Sequence, residues 1–332
     1  MKVYNEHNDN KLTQDLLNCL DKFREKRGFD SKSYIEEKVN IINKYFTKSG
    51  LDTAIVAVSG GIDSAATLAL IIKASKEKDS NIKKVECLLL PCFDSDGVTN
   101  QESATEKGKL LCDEFYLEPI VIDLSEINNS IIDSVSAESL KRPDNWARGQ
   151  LVSYTRTPVI YYYTSLLSSA GYKPVVCGTI NTSEGAYLGY TGKAGDGMVD
   201  LQIISDIYKS EVYEVAKALG VPNEIIESVP SGDMYDNRND TEVFGASYDF
   251  VELYLEYLKS SDEVKQKLIS DIDEESKDLF YKYSENLEHL HKYNRHKYIG
   301  KSPAVHLDVF NSEVPDGWIN YKSYSDDFLK GK

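Results

Sequence analysis

The stretch AIVAVSGGIDSAATLAL at residues 54–70 constrains the fold more than any other part of this 332-residue chain. Its first five residues form an apolar run, which is typical of a parallel strand buried on both faces. Ser59, Gly60 and Gly61 follow, and glycine permits both a sharp turn and the close approach of a ligand. Helix-forming apolar residues resume at Ile62. We therefore predict a strand, a tight loop and a helix whose free N-terminal amides can bind an anion.

The polar residues of this loop favour a ligand site. Two adjacent glycines alone would more often mark an ordinary connection between a strand and a helix. Here Ser59, Asp63 and Ser64 flank them. Asp63 could simply stabilise the helix dipole. The loop as a whole thus predicts a site for an anion, most often a phosphate.

Strand and helix patterns alternate along the rest of the chain. Further strands are predicted at VECLLLP (85–91), PIVIDL (119–124) and PVVCGT (174–179). Helical patterns lie between them, at residues 100–116 and 158–171. This order predicts an α/β fold with an open, mostly parallel sheet and helices on both faces. Ligands of such sheets bind beyond the carboxyl ends of the strands. The loops expected to meet there are SGGIDS, LPCFDS and GTINTSE.

Helical segments flank this core. Residues 31–48 place their apolar side chains on one helical face, and longer helices are predicted over 242–259 and about 274–297. The chain has no repeat or linker, so we predict a single domain. Its parts are a helical N-terminal segment (1–50), an α/β core (51–235), and a helical C-terminal extension with a tail (236–332).

The composition excludes several classes of protein. A net charge of −16 disfavours binding to nucleic acids and to acidic membranes. No apolar run is long enough to cross a bilayer, and the start MKVYNEHNDNKL lacks the apolar core of a signal peptide. The five cysteines are scattered without a CxxC pair, which predicts neither a zinc site nor disulfides. We therefore expect a cytoplasmic protein with reduced thiols.

The loop motif matches a known class of phosphate loop. The chain lacks both the Walker pattern and GxGxxG. SGGxDS, placed between a strand and a helix, resembles the PP-loop of the ATP pyrophosphatases, whose fold is adenine nucleotide alpha hydrolase-like. The resemblance implies that ATP is split into AMP and pyrophosphate, with Asp63 binding Mg²⁺. The implied ATP-binding residues of the loop are Ser59, Gly60, Gly61, Ile62, Asp63 and Ser64.

A second region narrows the resemblance. Residues 178–200, GTINTSEGAYLGYTGKAGDGMVD, and the following LQIISDIYKSEVYEVAKALGVP resemble the ammonia-dependent NAD synthases. This likeness runs from about residue 35 to 300. It implies a ligase that amidates nicotinic acid adenine dinucleotide (deamido-NAD) to NAD, the last step of NAD biosynthesis. ATP first adenylates the substrate carboxylate and releases pyrophosphate. Ammonia then displaces AMP.

The resemblance also assigns residues outside the loop. Glu184 is the implied second magnesium ligand, and Lys209 the lysine that contacts the ATP phosphates and stabilises the departing pyrophosphate. Glu184 could instead cap a helix, and Lys209 could be an ordinary surface lysine. Asp200 matches an acid near the nicotinoyl end of deamido-NAD and is a candidate proton acceptor from ammonia. Thr179 and Ser231 are implied in ATP binding.

The contacts to deamido-NAD are less narrowly assigned. The segment NWARGQLVSYTRTP (145–158) resembles the one that grips the dinucleotide, and either Arg148 or Arg156 could serve. Lys193 lies in a loop one residue longer than the common family pattern, as either a substrate contact or a solvated charge. The segment HLHKYNRHKY (289–298) is either a solvated helix end or a phosphate contact across a dimer interface.

The implied partners are ATP, deamido-NAD, ammonia and a second copy of the chain. Tyr161, Tyr162 and Tyr163 are expected to pack in the core or at this subunit interface. No stretch resembles a glutaminase, so free ammonia is the expected nitrogen donor unless a separate glutaminase delivers it.

Two alternatives from other classes remain at this point. A PP-loop enzyme that modifies tRNA would want a basic surface and usually a reactive cysteine pair, neither of which this chain has. A protein that only senses nucleotides would need no pair of carboxylates for a metal, so Asp63 and Glu184 argue against it.

Overall fold

The computed structural model describes residues 11–93, 101–138, 144–232, 238–297 and 304–310. Within them, parallel strands form one open sheet in the order β3-β2-β1-β4-β5-β6. The strands are β1 (Thr53–Ala57), β2 (Lys84–Leu89), β3 (Ile120–Val121), β4 (Pro174–Gly178), β5 (Leu201–Gln202) and β6 (Val305–His306). The order reverses direction between β1 and β4, which opens a crevice at their carboxyl ends. The predicted parallel sheet is confirmed.

Helices connect and flank the strands. In the described ranges they are α1 (Gln14–Arg27), α2 (Ser31–Ser49), α3 (Ile62–Ser75), α4 (Gln101–Glu114), α5 (Ser125–Glu138), α6 (Asn145–Ser169), α7 (Thr182–Gly185), α8 (Lys209–Ala218), α9 (Asn223–Ile226), α10 (Asp240–Phe244), α11 (Tyr248–Lys259), α12 (Asp262–Asp271) and α13 (Glu274–Asn294). None of them is long and apolar enough to cross a membrane.

Alternate residues of the central strands point to opposite helical layers. Ala54 and Val56 of β1 belong to a buried cluster with residues of α2, α3 and α8. Ile55 belongs to a second cluster, with Val152 and Ile160 of α6. Because side chains alternate along a strand, a strand whose buried side chains are apolar on both faces, as in β1 from Ala54 to Val56, must be covered on both faces. The predicted helices on both faces of the sheet are therefore confirmed.

Three elements differ from the sequence expectations. β3 spans only two residues of the predicted 119–124. The helix predicted over 158–171 begins earlier, at Asn145, where the Asp144 side chain accepts a hydrogen bond from Ala147 N. The single helix predicted over 242–259 is wrong. Gly245 adopts a φ of +61° and separates α10 from α11, because this left-handed conformation ends a helix.

The chain flanks complete the architecture. α1 packs on α11 and α13 through a third apolar cluster that includes Leu16, Leu20 and Phe280. The segment 304–310 adds β6 to the sheet edge through pairing of Leu201 with Val305. The last two residues of the predicted LPCFDS loop, Asp94 and Ser95, and the C-terminal tail from residue 311 onward lie outside the described residues.

Candidate active site

The loop between β1 and α3 is held by its own hydroxyl groups. Ser64 Oγ donates to the carbonyl of Gly61 at 2.9 Å and accepts from the Ser59 amide at 3.2 Å. Gly60 has a φ of +79°, and an added Cβ would lie 2.4 Å from the carbonyl oxygen of Ala104. The N-cap of α3 is Gly61, which has no side chain to cap the helix. The first amides of α3 therefore remain available to an anion.

Three charged side chains from different elements meet beside this loop. Lys209 Nζ, at the start of α8, lies 2.5 Å from Asp63 Oδ2 and 2.8 Å from Glu184 Oε1. The Lys209 side chain is only 3% exposed. Burial alone would lower the pKa of Lys209, but the two carboxylates raise it overall. The pKa of Asp63 is raised overall, because burial and the nearby Glu184 raise it more than Lys209 lowers it. The lysine thus remains a cation between two acids.

Further polar residues, which the sequence analysis did not assign, orient these carboxylates. Asn181 Nδ2 donates to Asp63 Oδ1 at 2.7 Å, while Asn181 Oδ1 accepts from the Glu184 amide at 3.1 Å. The Tyr248 hydroxyl lies 2.7 Å from both Glu184 Oε1 and Asp240 Oδ2. Burial and Glu184 raise the pKa of Asp240 to about 6. Asn181 lies inside the motif GTINTSE, which was the available sequence signal for it.

Lys209, Asp63 and Glu184 line a cleft of about 500 Å³ at the carboxyl ends of the strands. The predicted site residues that line it are Ser59, Gly60, Gly61, Ile62, Asp63, Arg156, Thr179, Glu184, Lys209 and Ser231. Ser64 is buried behind the loop. Arg156 Nη2 of α6 donates to Gln101 Oε1 of α4 at 3.4 Å, and both residues line the cleft.

Besides Ser64, three predicted residues are not among those that line this cleft. Asp200 lies at the start of β5, where its carboxylate accepts hydrogen bonds from the Val176 amide at 2.8 Å and from the Tyr161 hydroxyl at 3.0 Å. Lys193 Nζ donates to the carbonyl of His296 at 3.2 Å. Arg148 lies in the first turn of α6. The acid of this region that lines the cleft is Asp196, within the motif GDG.

Comparisons with known proteins agree on one family. The family model described as NAD synthase matches residues 34–299. The chain is 33% identical, over 70% of its length and 84% of the relative's, to the NH(3)-dependent NAD(+) synthetase of Methanosarcina acetivorans. It is 31% identical to the protein of the same name from Methanosarcina mazei, over 80% of this chain and 94% of that protein.

Solved structures share the fold. The NH3-dependent NAD synthetase of Campylobacter jejuni superposes with a TM-score of 0.57 at 25% identity, over 81% of this chain and 96% of that one. The NMN synthetase of Francisella tularensis gives a TM-score of 0.64 at 23% identity, with the same coverage of both chains.

Replacing Gly60 should damage the phosphate loop. In Gly60→Ala the new methyl group would collide with the backbone of Ala104, so the loop must shift. We expect the dissociation constant for ATP, measured by calorimetry, to rise about tenfold or more, since loop amides must point at the phosphates. Gly220→Ala is the matched control, because Gly220 has a similar φ of +78° but open space around it. Unchanged ATP affinity in Gly60→Ala would contradict the loop assignment.

Proposed function

This chain belongs to the NAD synthase family, and we propose that it converts deamido-NAD to NAD with ATP and ammonia. The observation that carries this proposal is the contact of Lys209 with Asp63 and Glu184 beside the open amides of the PP-loop. A cation, two hard oxygen ligands and free helix amides are the groups that the transfer of a nucleotide from ATP requires.

The first step is adenylation of the substrate carboxylate. The amides of the loop and of the first turn of α3 would bind the β- and γ-phosphates, while an oxygen of the substrate attacks the α-phosphorus. The bond to pyrophosphate breaks, and Lys209 stabilises the negative charge that develops on this leaving group. Positioning and charge stabilisation are sufficient here, so no protein nucleophile is needed. The acyl adenylate that forms has AMP as a good leaving group.

The second step is attack of ammonia on the acyl adenylate. The new C–N bond forms, AMP leaves, and the nitrogen gives up a proton. We assign the acceptance of this proton to Asp196, because it lines the cleft. Asp200, whose carboxylate contacts Val176 of β4 and Tyr161 of α6, would act by holding the start of β5 against these two elements. All five cysteines are free and buried, which is consistent with an enzyme of the reducing cytoplasm.

Asp63 and Glu184 have the chemistry of a magnesium site. Mg²⁺ prefers oxygen ligands and is usually held by one or two carboxylates together with substrate phosphates. Both side chains reach the same point in the cleft, where they now contact Lys209 Nζ. The nearby Asp240 Oδ1 has no hydrogen-bond partner in the part of the chain that the structure describes. The bound ion would neutralise phosphate charge and orient the leaving group.

A homodimer is supported by an exposed apolar face. A groove of about 600 Å³ between α5 and α6 is lined by residues such as Ile131, Tyr162 and Leu166. Tyr162 is 68% exposed and Leu166 49% exposed in the single chain. Contiguous apolar surface of this kind usually marks a protein interface. We propose that a second copy of the chain covers this face.

The dimer can be tested by placing a charge in the groove. Sedimentation of the wild-type protein should give twice the mass of the 37.4 kDa chain. Leu166→Glu should shift the protein towards monomers, because a carboxylate would be buried without a partner. Val264→Glu, at an apolar residue that is 43% exposed outside the groove, is the control and should remain dimeric. A monomeric wild type, or a dimeric Leu166→Glu, would contradict the proposal.

A product assay tests the reaction itself. The protein would be incubated with ATP, Mg²⁺ and deamido-NAD, with ammonium, with glutamine, or with neither. We expect NAD, AMP and pyrophosphate in equal amounts with ammonium only. Nicotinic acid mononucleotide in place of deamido-NAD tests whether the adenylate half of the substrate is required. NAD formed from glutamine would reveal a nitrogen-delivery site, and AMP without NAD would reject the substrate.

Lys209→Met tests two roles of the lysine, namely stabilisation of the leaving pyrophosphate and neutralisation of Asp63 and Glu184. Without it, adenylation should slow by about two orders of magnitude or more, since charge on the leaving pyrophosphate is no longer stabilised. The carboxylates of Asp63 and Glu184 would also lose their cation. Mg²⁺ alone, without ATP, should therefore raise the melting temperature of Lys209→Met more than that of the wild type. NaCl at equal ionic strength is the control. Equal stabilisation of both proteins by Mg²⁺ would contradict the metal assignment.

A further inference from the structure

Residues 205–208, which precede Lys209, are contacted by Arg27 near the N-terminus and by Val309 near the C-terminus of the described chain. We propose that Arg27 of α1 is a positioning residue for Lys209, and that it works by fixing residues 205–208 and the first turn of α8. This inference rests on the proposed function only for its activity readout. Arg27 lies outside residues 34–299, to which the family model matches. The proposed role therefore adds an element from the N-terminal flank to the site.

Arg27 makes several contacts to this segment at once. Its Nη2 donates to Glu211 Oε2 at 2.9 Å and to the backbone carbonyl of Asp206 at 3.0 Å, and its Nε donates to the other oxygen of Glu211. The guanidinium also lies over the rings of Phe310, at 4.2 Å, and Tyr208, at 4.9 Å. A planar guanidinium can satisfy all these partners together, whereas an ammonium group cannot.

Glu211 transmits this contact to the helix that begins with Lys209. Its Oε2 accepts a hydrogen bond from the amide of Tyr208, the N-cap residue of α8, at 2.9 Å. The Lys209 amide in turn donates to Ser183 Oγ at 3.0 Å, next to Glu184. The backbone that leads into Lys209 Cα is thereby fixed relative to the carboxylates. Burial raises the pKa of Glu211 to about 7, and Arg27 opposes this shift. Arg27 therefore favours the charged form of the carboxylate that it binds.

A second ion pair holds the same segment from the side of α2. Lys38 Nζ lies 2.9 Å from both carboxylate oxygens of Asp206, and both side chains are almost fully buried. The Tyr34 hydroxyl donates to Asp206 Oδ1 and the Val309 amide to Asp206 Oδ2, each at 2.8 Å. The segment therefore has partners from α1, from α2 and from the residues after β6. Of these partners, Arg27 also binds a side chain of α8 itself, that of Glu211.

The position of Lys209 matters because the site works by geometry. Its ammonium must reach a charge that develops only as pyrophosphate leaves, and shifts of about 1 Å can cost two orders of magnitude in rate. ATP binding in the ground state relies mainly on the loop amides between β1 and α3, which Arg27 does not contact. Loss of Arg27 should therefore lower kcat and leave the KM for ATP nearly unchanged.

Three variants test this role. Arg27→Met removes the charge and all hydrogen bonds, while Arg27→Lys keeps the charge but cannot span Glu211 and the Asp206 carbonyl together. Arg24→Met is the matched control. Arg24 lies one turn earlier on α1 and pairs with Asp249 and Glu252 of α11, at 2.6 and 2.7 Å. Glu252 also accepts a hydrogen bond from Ser210 Oγ of α8 at 2.7 Å, so loss of Arg24 loosens this turn from the side of α11. It leaves the contacts of Arg27 with Glu211 and with the Asp206 carbonyl in place, so residues 205–208 should stay fixed.

Two readouts are measured on each variant. We expect kcat with ammonium to fall about tenfold or more in Arg27→Met, by less in Arg27→Lys, and by under about twofold in Arg24→Met. Hydrogen exchange, followed by mass spectrometry without any substrate, should be faster over residues 203–212 in Arg27→Met than in Arg24→Met or the wild type. If Arg27→Met does not fold, Arg27→Lys against Arg24→Met decides the question on both readouts.

The outcomes separate this inference from the proposed function. Wild-type kcat in a folded Arg27 variant, or an equal loss of kcat in Arg24→Met, would overturn the positioning role. Exchange over residues 203–212 that is unchanged by Arg27→Met would overturn it as well. An inactive wild type would instead reject the proposed function, while the exchange experiment would still decide whether Arg27 fixes the segment.

Discussion

The buried contact of Lys209 with Asp63 and Glu184 is the interaction on which the site depends. Two carboxylates this close to each other repel in a medium of low dielectric constant, and the cation between them removes that penalty. Breaking a buried pair by removing one partner typically costs about 3–5 kcal/mol, because the remaining charge stays buried. The three elements that carry these residues, α3, α7 and α8, are therefore held in fixed relation before any substrate arrives.

The parallel sheet brings these elements together. β1 and β4 are neighbours in the sheet but distant in sequence, so the loops after them meet at one rim. Asp63 follows β1, and Glu184 follows β4 after the Asn181 cap. Lys209 reaches the same point from the segment after β5. The order of the strands, more than any local motif, explains why residues separated by 146 positions contact each other.

Features set by neighbouring residues in the sequence could be predicted, whereas contacts between elements that are distant in the sequence could not. The motif SGGIDS and the apolar run before it predict a strand, a loop and an anion site from a few adjacent residues. The motif GTINTSE similarly indicated Glu184. For Asp200, the motif predicts a place near the substrate but does not reveal that its carboxylate accepts from the Val176 amide, one residue before β5 begins. Side-chain direction at a strand end depends on register, which a pattern of residue types does not reveal.

The role of the chain flanks was also beyond sequence reasoning. Nothing in REKRG at residues 24–28 distinguishes Arg27, which binds Glu211, from the neighbouring Lys26, since both are basic residues at the end of an amphipathic helix. Pairing of this kind depends on how α1 packs across α8 and α11. Buried arginines of a flanking helix are thus visible only in the folded chain.

The acidic composition and the anionic substrates place opposite demands on the protein. A net charge of −16 repels ATP and deamido-NAD at long range. The groups in the cleft that could offset this repulsion act locally, namely the amides of α3, Lys209 and Arg156. Salt screens the long-range repulsion over about 8 Å, while contacts inside a partly buried cleft are screened much less. Binding of polyanions by an acidic chain is therefore consistent with its physics, provided that the cations and amides stay concentrated at one rim of the sheet.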